Sequence, residues 1–193
     1  SIDFDLPEAE ILLDAAGSTE AIVRAERNQA HKIIESFMLA ANEAVASHLT
    51  ENDIPLLYRI HELPDQEKLA GLSEFLTPLG YEFPSAERNI KPADIQSLLA
   101  RAAGKPEERL VNRMLLRSMK QARYAEENLG HFGLAAPCYT HFTSPIRRYP
   151  DLVVHRILKW ALQQKRAAHD RGALHCTPFP GFPAQLADIG EQT

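Results

Sequence analysis

Two adjacent arginines, Arg147 and Arg148, stand just before a predicted helix in a segment rich in groups that bind anions. The other side chains of this segment, residues 139–151, that could contact a ligand are His141, Thr143, Ser144 and Tyr149. Arginine keeps its charge when it is buried, and its planar guanidinium donates two parallel hydrogen bonds to an oxyanion. Free backbone N–H groups at the start of a helix also attract anions. The segment therefore indicates anion binding, and binding of phosphate above all.

A surface turn is the alternative interpretation of this segment, with its arginines paired to nearby carboxylates. For an isolated Arg-Arg pair that is the more common situation, because charged side chains usually lie at the surface. Arg148 in particular could form an ion pair with Asp151, three residues further on. The density of polar and aromatic groups favours the anion-binding interpretation for the segment as a whole.

A long helix is predicted directly behind the arginines, over residues 149–168. Pro150 fits the first turn of a helix, where its missing N–H removes no hydrogen bond. Apolar residues then recur at helical spacing, at Leu152, Val153, Ile157, Trp160 and Ala161. Residues 128–146, which lead into the arginines, are predicted to be irregular or extended.

Apolar periodicity and turn residues predict the remaining elements. Short strands are predicted at residues 2–4, 11–13, 21–23 and 56–60. Helices are predicted at residues 28–49, 65–79, 92–104 and 106–119. The buried stripe of the first helix is predicted to consist of Ile33, Ile34, Phe37, Met38, Ala41, Ala44, Val45 and Leu49. Together these elements predict a helix-rich α+β fold with a small β-sheet contribution.

Composition excludes several classes of protein. The 193 residues contain no apolar run of about 18, so no membrane span is expected. No basic-then-apolar leader opens the chain, and its two cysteines fit a reducing cytoplasm better than a disulfide framework. The net charge is −5, yet residues 147–171 carry +5. A local positive field in an acidic body is typical of a channel for one strand, although its last cations could simply solvate the end of a helix.

The string HFTSPIRRYPDLVVHR at residues 141–156 resembles the signature of the ribonuclease II/ribonuclease R exoribonucleases, whose catalytic unit is the RNB domain. Four other segments resemble the same family, in family order, at residues 2–8, 34–43, 58–62 and 127–135. The resemblance spans roughly residues 1–160 and is closer to the ribonuclease R branch. It implies that residues 1–171 are the C-terminal portion of an RNB catalytic domain. The loop-like tail at residues 172–193 would lead to an absent remainder.

The same resemblance implies a magnesium-dependent, processive 3′→5′ exoribonuclease that releases nucleoside 5′-monophosphates from single-stranded RNA. The metal ligands of the family form an aspartate cluster upstream of the segment that begins at Ile2, and no comparable cluster occurs here. Asp3 and Asp5 do not match it, so no residue of this chain is assigned as a metal ligand. The chain alone is expected not to hydrolyse RNA.

The resemblance also implies roles for individual residues. Arg147 would contact the scissile phosphate and act in catalysis. Phe4 would stack on a base, Glu35 would lie near the terminal ribose, and Ser144 and Thr143 would contact phosphate. The remaining predicted substrate-binding residues are Arg148, His141 and Tyr149. Each has an ordinary structural alternative: a core aromatic for Phe4, a solvated carboxylate for Glu35, and helix capping for the two hydroxyls.

Single-stranded RNA is therefore the expected partner, other RNA-decay proteins form a second class, and the expected location is the cytoplasm. The competing hypothesis is a non-catalytic RNA-binding or protein-interaction module derived from the same domain. A phosphate-binding metabolic enzyme is disfavoured, because the sequence has no glycine-rich phosphate loop.

Overall fold

The computed structural model describes residues 2, 9–24, 28–83 and 90–171. Within them, five α-helices and two small antiparallel sheets confirm the predicted helix-rich α+β class. The elements in chain order are β1 (Ala9–Leu13), β2 (Thr19–Arg24), α1 (Gln29–Glu51), β3 (Tyr58–Ile60), α2 (Gln66–Leu76), α3 (Pro92–Ala102), α4 (Glu108–Ser118), β4 (Arg123–Ala125) and α5 (Tyr149–Arg171). Single 3₁₀ turns are found at Thr77–Leu79 and Phe132–Leu134.

The two sheets differ in how they are built. Strands β1 and β2 form a local hairpin with Ile11 opposite Ile22, and the turn between them contains Gly17 at a positive φ of 81°. Strands β3 and β4 pair across more than 60 residues of sequence, with Arg59 opposite Tyr124. The sequence did not predict β4, because three residues are too few to show an alternating pattern.

Helix ends follow the local chemistry of the sequence. The predicted capping residue of α2, Asp65, accepts a hydrogen bond from the backbone N–H of Glu67 at 2.9 Å. Helix α2 stops at Leu76 rather than at the predicted residue 79, because Pro78 has no N–H to continue the α-helical ladder. Helix α5 begins at Tyr149, as predicted, and continues to Arg171.

Two apolar clusters form the core. The first joins α1, β3, β4 and α5, and its buried apolar residues are Ala46, Leu49, Leu56, Leu57, Tyr58, Ile60, Tyr124, Cys138, Val153, Val154, Ile157 and Ala161. The second joins α2, α3 and α4, and its buried residues are Leu69, Leu72, Leu76, Tyr81, Phe83, Ile90, Ile95, Leu98, Ala102, Val111, Leu115, Met119 and Phe132. These clusters are called the first and second core clusters below.

The predicted buried stripe of α1 is wrong in its N-terminal half and at one later position. In the N-terminal half Ile33, Ile34 and Phe37 are exposed, with Phe37 at 69%. Ala44, further along the helix, is exposed as well. Among the residues that the structure describes, other elements pack only against the C-terminal half of α1, where Asn42, Ala46 and Leu49 are buried. Periodicity shows which face of a helix is apolar, but it does not show how much of that face another element covers.

Two other predictions cannot be compared with the structure. The predicted first strand, which includes Phe4, lies outside the described residues except for Ile2, whose N–H donates to the Gly133 carbonyl at 2.7 Å. The loop-like tail predicted for residues 172–193 also lies outside them.

Candidate functional site

Residues 139–148, called the Arg loop below, run from the edge of β3 to the first turn of α5. The loop begins with two bonds to the β3 region. The backbone N–H of Arg59 donates to the Tyr139 carbonyl at 2.9 Å, and the buried Thr140 hydroxyl donates to the Leu57 carbonyl at 2.7 Å. The start of the loop is thereby fixed on the first core cluster.

Asn42 of α1 holds the middle of the Arg loop. Its side chain, only 3% exposed, donates through Nδ2 to the Tyr139 hydroxyl at 2.8 Å. Its Oδ1 accepts from the backbone N–H groups of Phe142 at 2.9 Å and Thr143 at 3.2 Å. A buried amide with three partners orders the segment that it contacts. We did not predict this residue, although it lies at the helical spacing of the buried Ala46 and Leu49, where a polar residue needs a partner.

Asp151, which is fully buried in the first turn of α5, holds the end of the loop. Its carboxylate accepts from the Ser144 backbone N–H at 2.8 Å. It also forms a bidentate pair with Arg148, through Nε and Nη2, both at 2.8 Å. The ion pair suggested by the sequence is confirmed, and it leaves the Arg148 side chain 22% exposed. Contact between Arg148 and substrate stays a prediction.

Arg147 differs from its neighbour. Its residue is exposed, and within the part of the chain that the structure describes its guanidinium makes no hydrogen bond or ion pair. Its backbone N–H donates to the Ser144 carbonyl at 3.3 Å, which closes the turn at the end of the loop. The preceding Ile146 is 98% exposed. In this loop the Arg148 guanidinium is therefore bound to a buried carboxylate, whereas the Arg147 guanidinium is available to a ligand.

Two histidines, His141 and His155, contribute contacts that support the loop. The Tyr124 hydroxyl lies 2.7 Å from Nδ1 of His141. Burial, followed by the positive charge of Arg148, lowers the pKa of His141 to about 4. Burial raises the pKa of Tyr124. At neutral pH His141 is therefore uncharged, and Tyr124 keeps its hydroxyl proton. Nε2 of His155 donates to the Phe142 carbonyl at 2.8 Å, and the two rings stack with centroids 4.0 Å apart.

A second group of contacts holds the chain just before the loop. The His61 N–H donates to the Gly130 carbonyl at 3.0 Å, and the Gly133 N–H donates to Nδ1 of His61 at 3.0 Å. A Cβ at residue 133 would lie 2.7 Å from that Nδ1, so only glycine fits there without displacement. Burial lowers the pKa of His131 to about 4, and burial also lowers the pKa of His61. Both histidines act here as uncharged structural groups.

The structure brings most of the predicted site residues together. Six of them lie in the Arg loop or at the first residue of α5, namely His141, Thr143, Ser144, Arg147, Arg148 and Tyr149. The Thr143 hydroxyl is buried and has no hydrogen-bond partner among the described residues, and Tyr149 is half-exposed. Glu35 is exposed on α1, seven residues before Asn42 and hence on the same side of the helix, about 10 Å away along its axis. Phe4 lies outside the described residues.

No group of three or more His, Cys, Asp or Glu residues is arranged to hold a metal ion in the ranges that the structure describes. A concavity of about 370 Å³ follows the exposed half of α1, lined by Gln29, Lys32, Ile33, Ser36, Phe37 and Ala40. It contains no Arg-loop residue, so the chemistry of the loop and not this cavity identifies the site. None of the described helices combines the length and apolar character needed to cross a membrane.

Comparison with known proteins adds three findings. The RNB domain matches residues 1–164. Ribonuclease R of Aquifex aeolicus (strain VF5) is 50% identical over 171 residues, which cover 89% of this chain and 24% of that protein. The RNase R of Mycoplasma genitalium, solved in complex with double-stranded RNA, has a TM-score of 0.84 at 32% identity, covering 99% of this chain and 33% of that chain.

A further solved structure is similar at a greater distance. Yeast Ssd1, described as a pseudonuclease, has a TM-score of 0.69 at 25% identity, covering 86% of this chain and 20% of that chain. The chain spans about a quarter of the length of the curated relative that it matches.

Proposed function

The chain belongs to the RNB-domain family, and from that premise we propose that it is part of a processive 3′→5′ exoribonuclease. The proposed reaction is the hydrolysis of single-stranded RNA to nucleoside 5′-monophosphates. Sequence identity of 50% to a ribonuclease R supports this activity, and so does the fold shared with an RNase R solved with RNA.

The observation that carries the proposal is the contrast between the two adjacent arginines. Arg148 is bound by Asp151 and, with Asn42, fixes the loop, whereas the Arg147 guanidinium has no partner among the described residues. Cleavage of a phosphodiester raises the charge on the phosphate oxygens in the transition state. A guanidinium that donates to those oxygens as their charge rises stabilises the transition state more than the ground state.

The neighbouring residues would complete the contact with the substrate. The Ser144 and Thr143 hydroxyls would donate to phosphate, and Tyr149, Arg148 and His141 would line the approach to Arg147. Glu35, on the same side of α1 as Asn42, would accept a hydrogen bond from the terminal ribose, which would help the site to distinguish RNA from DNA. Phe4 would stack on a base.

The described residues do not fit a magnesium site, so no step of the reaction is assigned to a metal held by them. In the proposed enzyme Mg²⁺ would be held by carboxylates elsewhere in the polypeptide. The chain alone is therefore expected to be inactive. Other RNA-decay proteins are proposed as further partners, and the cytoplasm as the location.

The test uses the full-length protein that contains this chain, with Mg²⁺ and a single-stranded RNA labelled at every nucleotide. We expect mononucleotide products, and for Arg147→Ala we expect cleavage to fall about 10²–10³-fold with RNA affinity nearly unchanged. The matched control is Arg113→Ala, at an exposed arginine of α4. Unchanged cleavage by Arg147→Ala would refute the role of this residue.

The alternative, a non-catalytic RNA-binding or protein-interaction module, is favoured by one finding, the likeness to the pseudonuclease Ssd1. The same assay separates the two functions. A protein that binds the RNA but releases no mononucleotide with Mg²⁺ supports the module and contradicts the exoribonuclease.

A further inference from the structure

Arg59, on β3, is attached to the Arg loop through both its backbone and its side chain. Its N–H donates to the Tyr139 carbonyl at the start of the loop. Its guanidinium carbon lies 4.6 Å from the ring centroid of Tyr124, the residue opposite on β4. The hydroxyl of that tyrosine contacts His141, six residues before Arg147. Arg59 therefore lies beside the candidate site.

The Arg59 guanidinium has no carboxylate partner within the described residues. Asp151 is occupied by Arg148, and Glu62, three residues after Arg59, is bound by Lys120 at 2.7 Å and by Arg123 at 2.9 Å. A half-buried guanidinium usually has an anionic partner, because desolvation of an uncompensated charge is costly.

The charges of the three arginines act on the same groups. Burial lowers the pKa of His141, and the positive charges of Arg148, Arg59 and Arg147 lower it further, against the opposite effect of the single carboxylate of Asp151. Only Arg148 is paired with a carboxylate among the described residues. The neighbourhood of His141 therefore carries an excess of positive charge, which attracts a polyanion.

The contact with Tyr124 leaves donors available. The guanidinium carbon of Arg59 lies over the ring, 4.6 Å from its centroid, and its N–H groups make no hydrogen bond to any residue that the structure describes. Two of these N–H groups can form the parallel pair of hydrogen bonds that phosphate oxygens accept. The ring of Tyr124 thus holds the guanidinium of Arg59 in place without using its donors.

We propose that Arg59 is a second phosphodiester-binding residue, which contacts a backbone phosphate of the bound RNA strand other than the phosphate at Arg147. This inference rests on the proposed function. Arg147 would serve cleavage, whereas Arg59 would serve affinity and hold the strand in register.

The test measures the salt dependence of binding between the full-length protein and a single-stranded oligoribonucleotide, by fluorescence anisotropy without divalent metal. A phosphate contact contributes about 0.7 to the slope of log affinity against log salt concentration for single strands. We expect Arg59→Met to lower the slope by about 0.7 and the affinity about tenfold near 100 mM salt. Arg59→Lys should keep the slope and lose about threefold in affinity, because the charge stays and the planar fork is lost.

The matched control is Arg101→Met, because Arg101 also lies over a tyrosine, with its guanidinium carbon 5.3 Å from the Tyr81 ring in the second core cluster. Its slope should equal that of the wild-type protein. If Arg59→Met keeps the wild-type slope but unfolds at a lower temperature, Arg59 has a structural role and the inference is wrong. If Arg59→Met does not fold, Arg59→Lys decides, and wild-type affinity for that variant overturns the inference. A wild-type protein that does not bind the RNA refutes the proposed function itself.

Discussion

The two core clusters differ in the polar groups that they bury. In the first, Asn42 bonds to Tyr139, Phe142 and Thr143, which lie about 100 residues away in sequence. Asp151 and Thr140 are also buried there and hydrogen-bonded. In the second, the buried Ser118 hydroxyl donates only to its own helix, and Oδ1 of the buried Asn112 has no partner within the described residues.

This difference indicates that the two clusters have different roles in the fold. Apolar contacts are non-directional and stabilise the helices, while satisfied buried hydrogen bonds determine where a segment without regular structure lies. The candidate site is therefore expected to depend on the polar groups of the first cluster. Changes in the second cluster should affect stability alone.

The largest effect is expected for Asp151→Asn in the full-length protein. The change leaves Arg148 without its buried partner, so we expect a loss of about 3–5 kcal/mol in the free energy of unfolding and a large loss of cleavage. Urea unfolding and the mononucleotide assay measure the two effects. Asp94→Asn, in the first turn of α3, is the control and should cost no more than about 1 kcal/mol. Normal cleavage by Asp151→Asn would contradict the role of the first cluster.

Leu115→Ala tests the second cluster. Leu115 is fully buried, so we expect a loss of about 2–5 kcal/mol in the free energy of unfolding, measured by urea denaturation. Cleavage per folded molecule should stay at the wild-type rate at temperatures well below the transition. A lower rate under those conditions would show that the two clusters are coupled.

Two asparagines give the sharpest comparison. Asn42→Leu removes three hydrogen bonds and leaves the Tyr139 hydroxyl and two backbone N–H groups unsatisfied. We expect it to cost about 1–3 kcal/mol and to lower kcat more than it raises KM, because the loop loses its position. Asn112→Leu removes an acceptor without a described partner and should be nearly neutral in stability and activity. Equal destabilisation by both changes would contradict the contrast between the clusters.

A smaller effect is expected from pH. The pKa values of His131 and His141 are about 4 in the folded protein, below the usual value of about 6.5 for an unfolded chain. The unfolded state therefore binds more protons between these values, so stability should be complete above about pH 6.5 and should fall as the pH drops toward 4. Thermal unfolding across this range measures the slope, and His141→Gln should reduce it. A flat profile would show that these histidines are not kept uncharged.

The sequence predicted the features that depend on local chemistry. Helical periodicity located α1 to α5, Asp65 capped α2, and Pro150 fell in the first turn of α5. The Arg loop was found because its arginines, hydroxyls and aromatic residues are adjacent in sequence. The ion pair between Arg148 and Asp151 was suggested by their spacing of three residues at the start of a helix.

Features that depend on distant contacts were missed. Strand β4 owes its existence to pairing with β3, and the role of Asn42 depends on a loop about 100 residues away. The exposed half of α1 was predicted to be buried because the periodic pattern contains no information about what covers it. The role of Arg59 beside Tyr124 likewise requires the register of two strands that are far apart in the chain.

The exposure of Ile146 has a consequence for how the Arg loop responds to ionic strength. Attraction between the arginines and a phosphate strand weakens as salt rises, whereas burying an aliphatic side chain is worth about 1.5–3 kcal/mol under any such condition. Ile146 is 98% exposed, so any molecule that covers the tip of this loop gains that energy. At high salt the loop would therefore still gain binding energy from burial of Ile146, after its charges had stopped attracting phosphate.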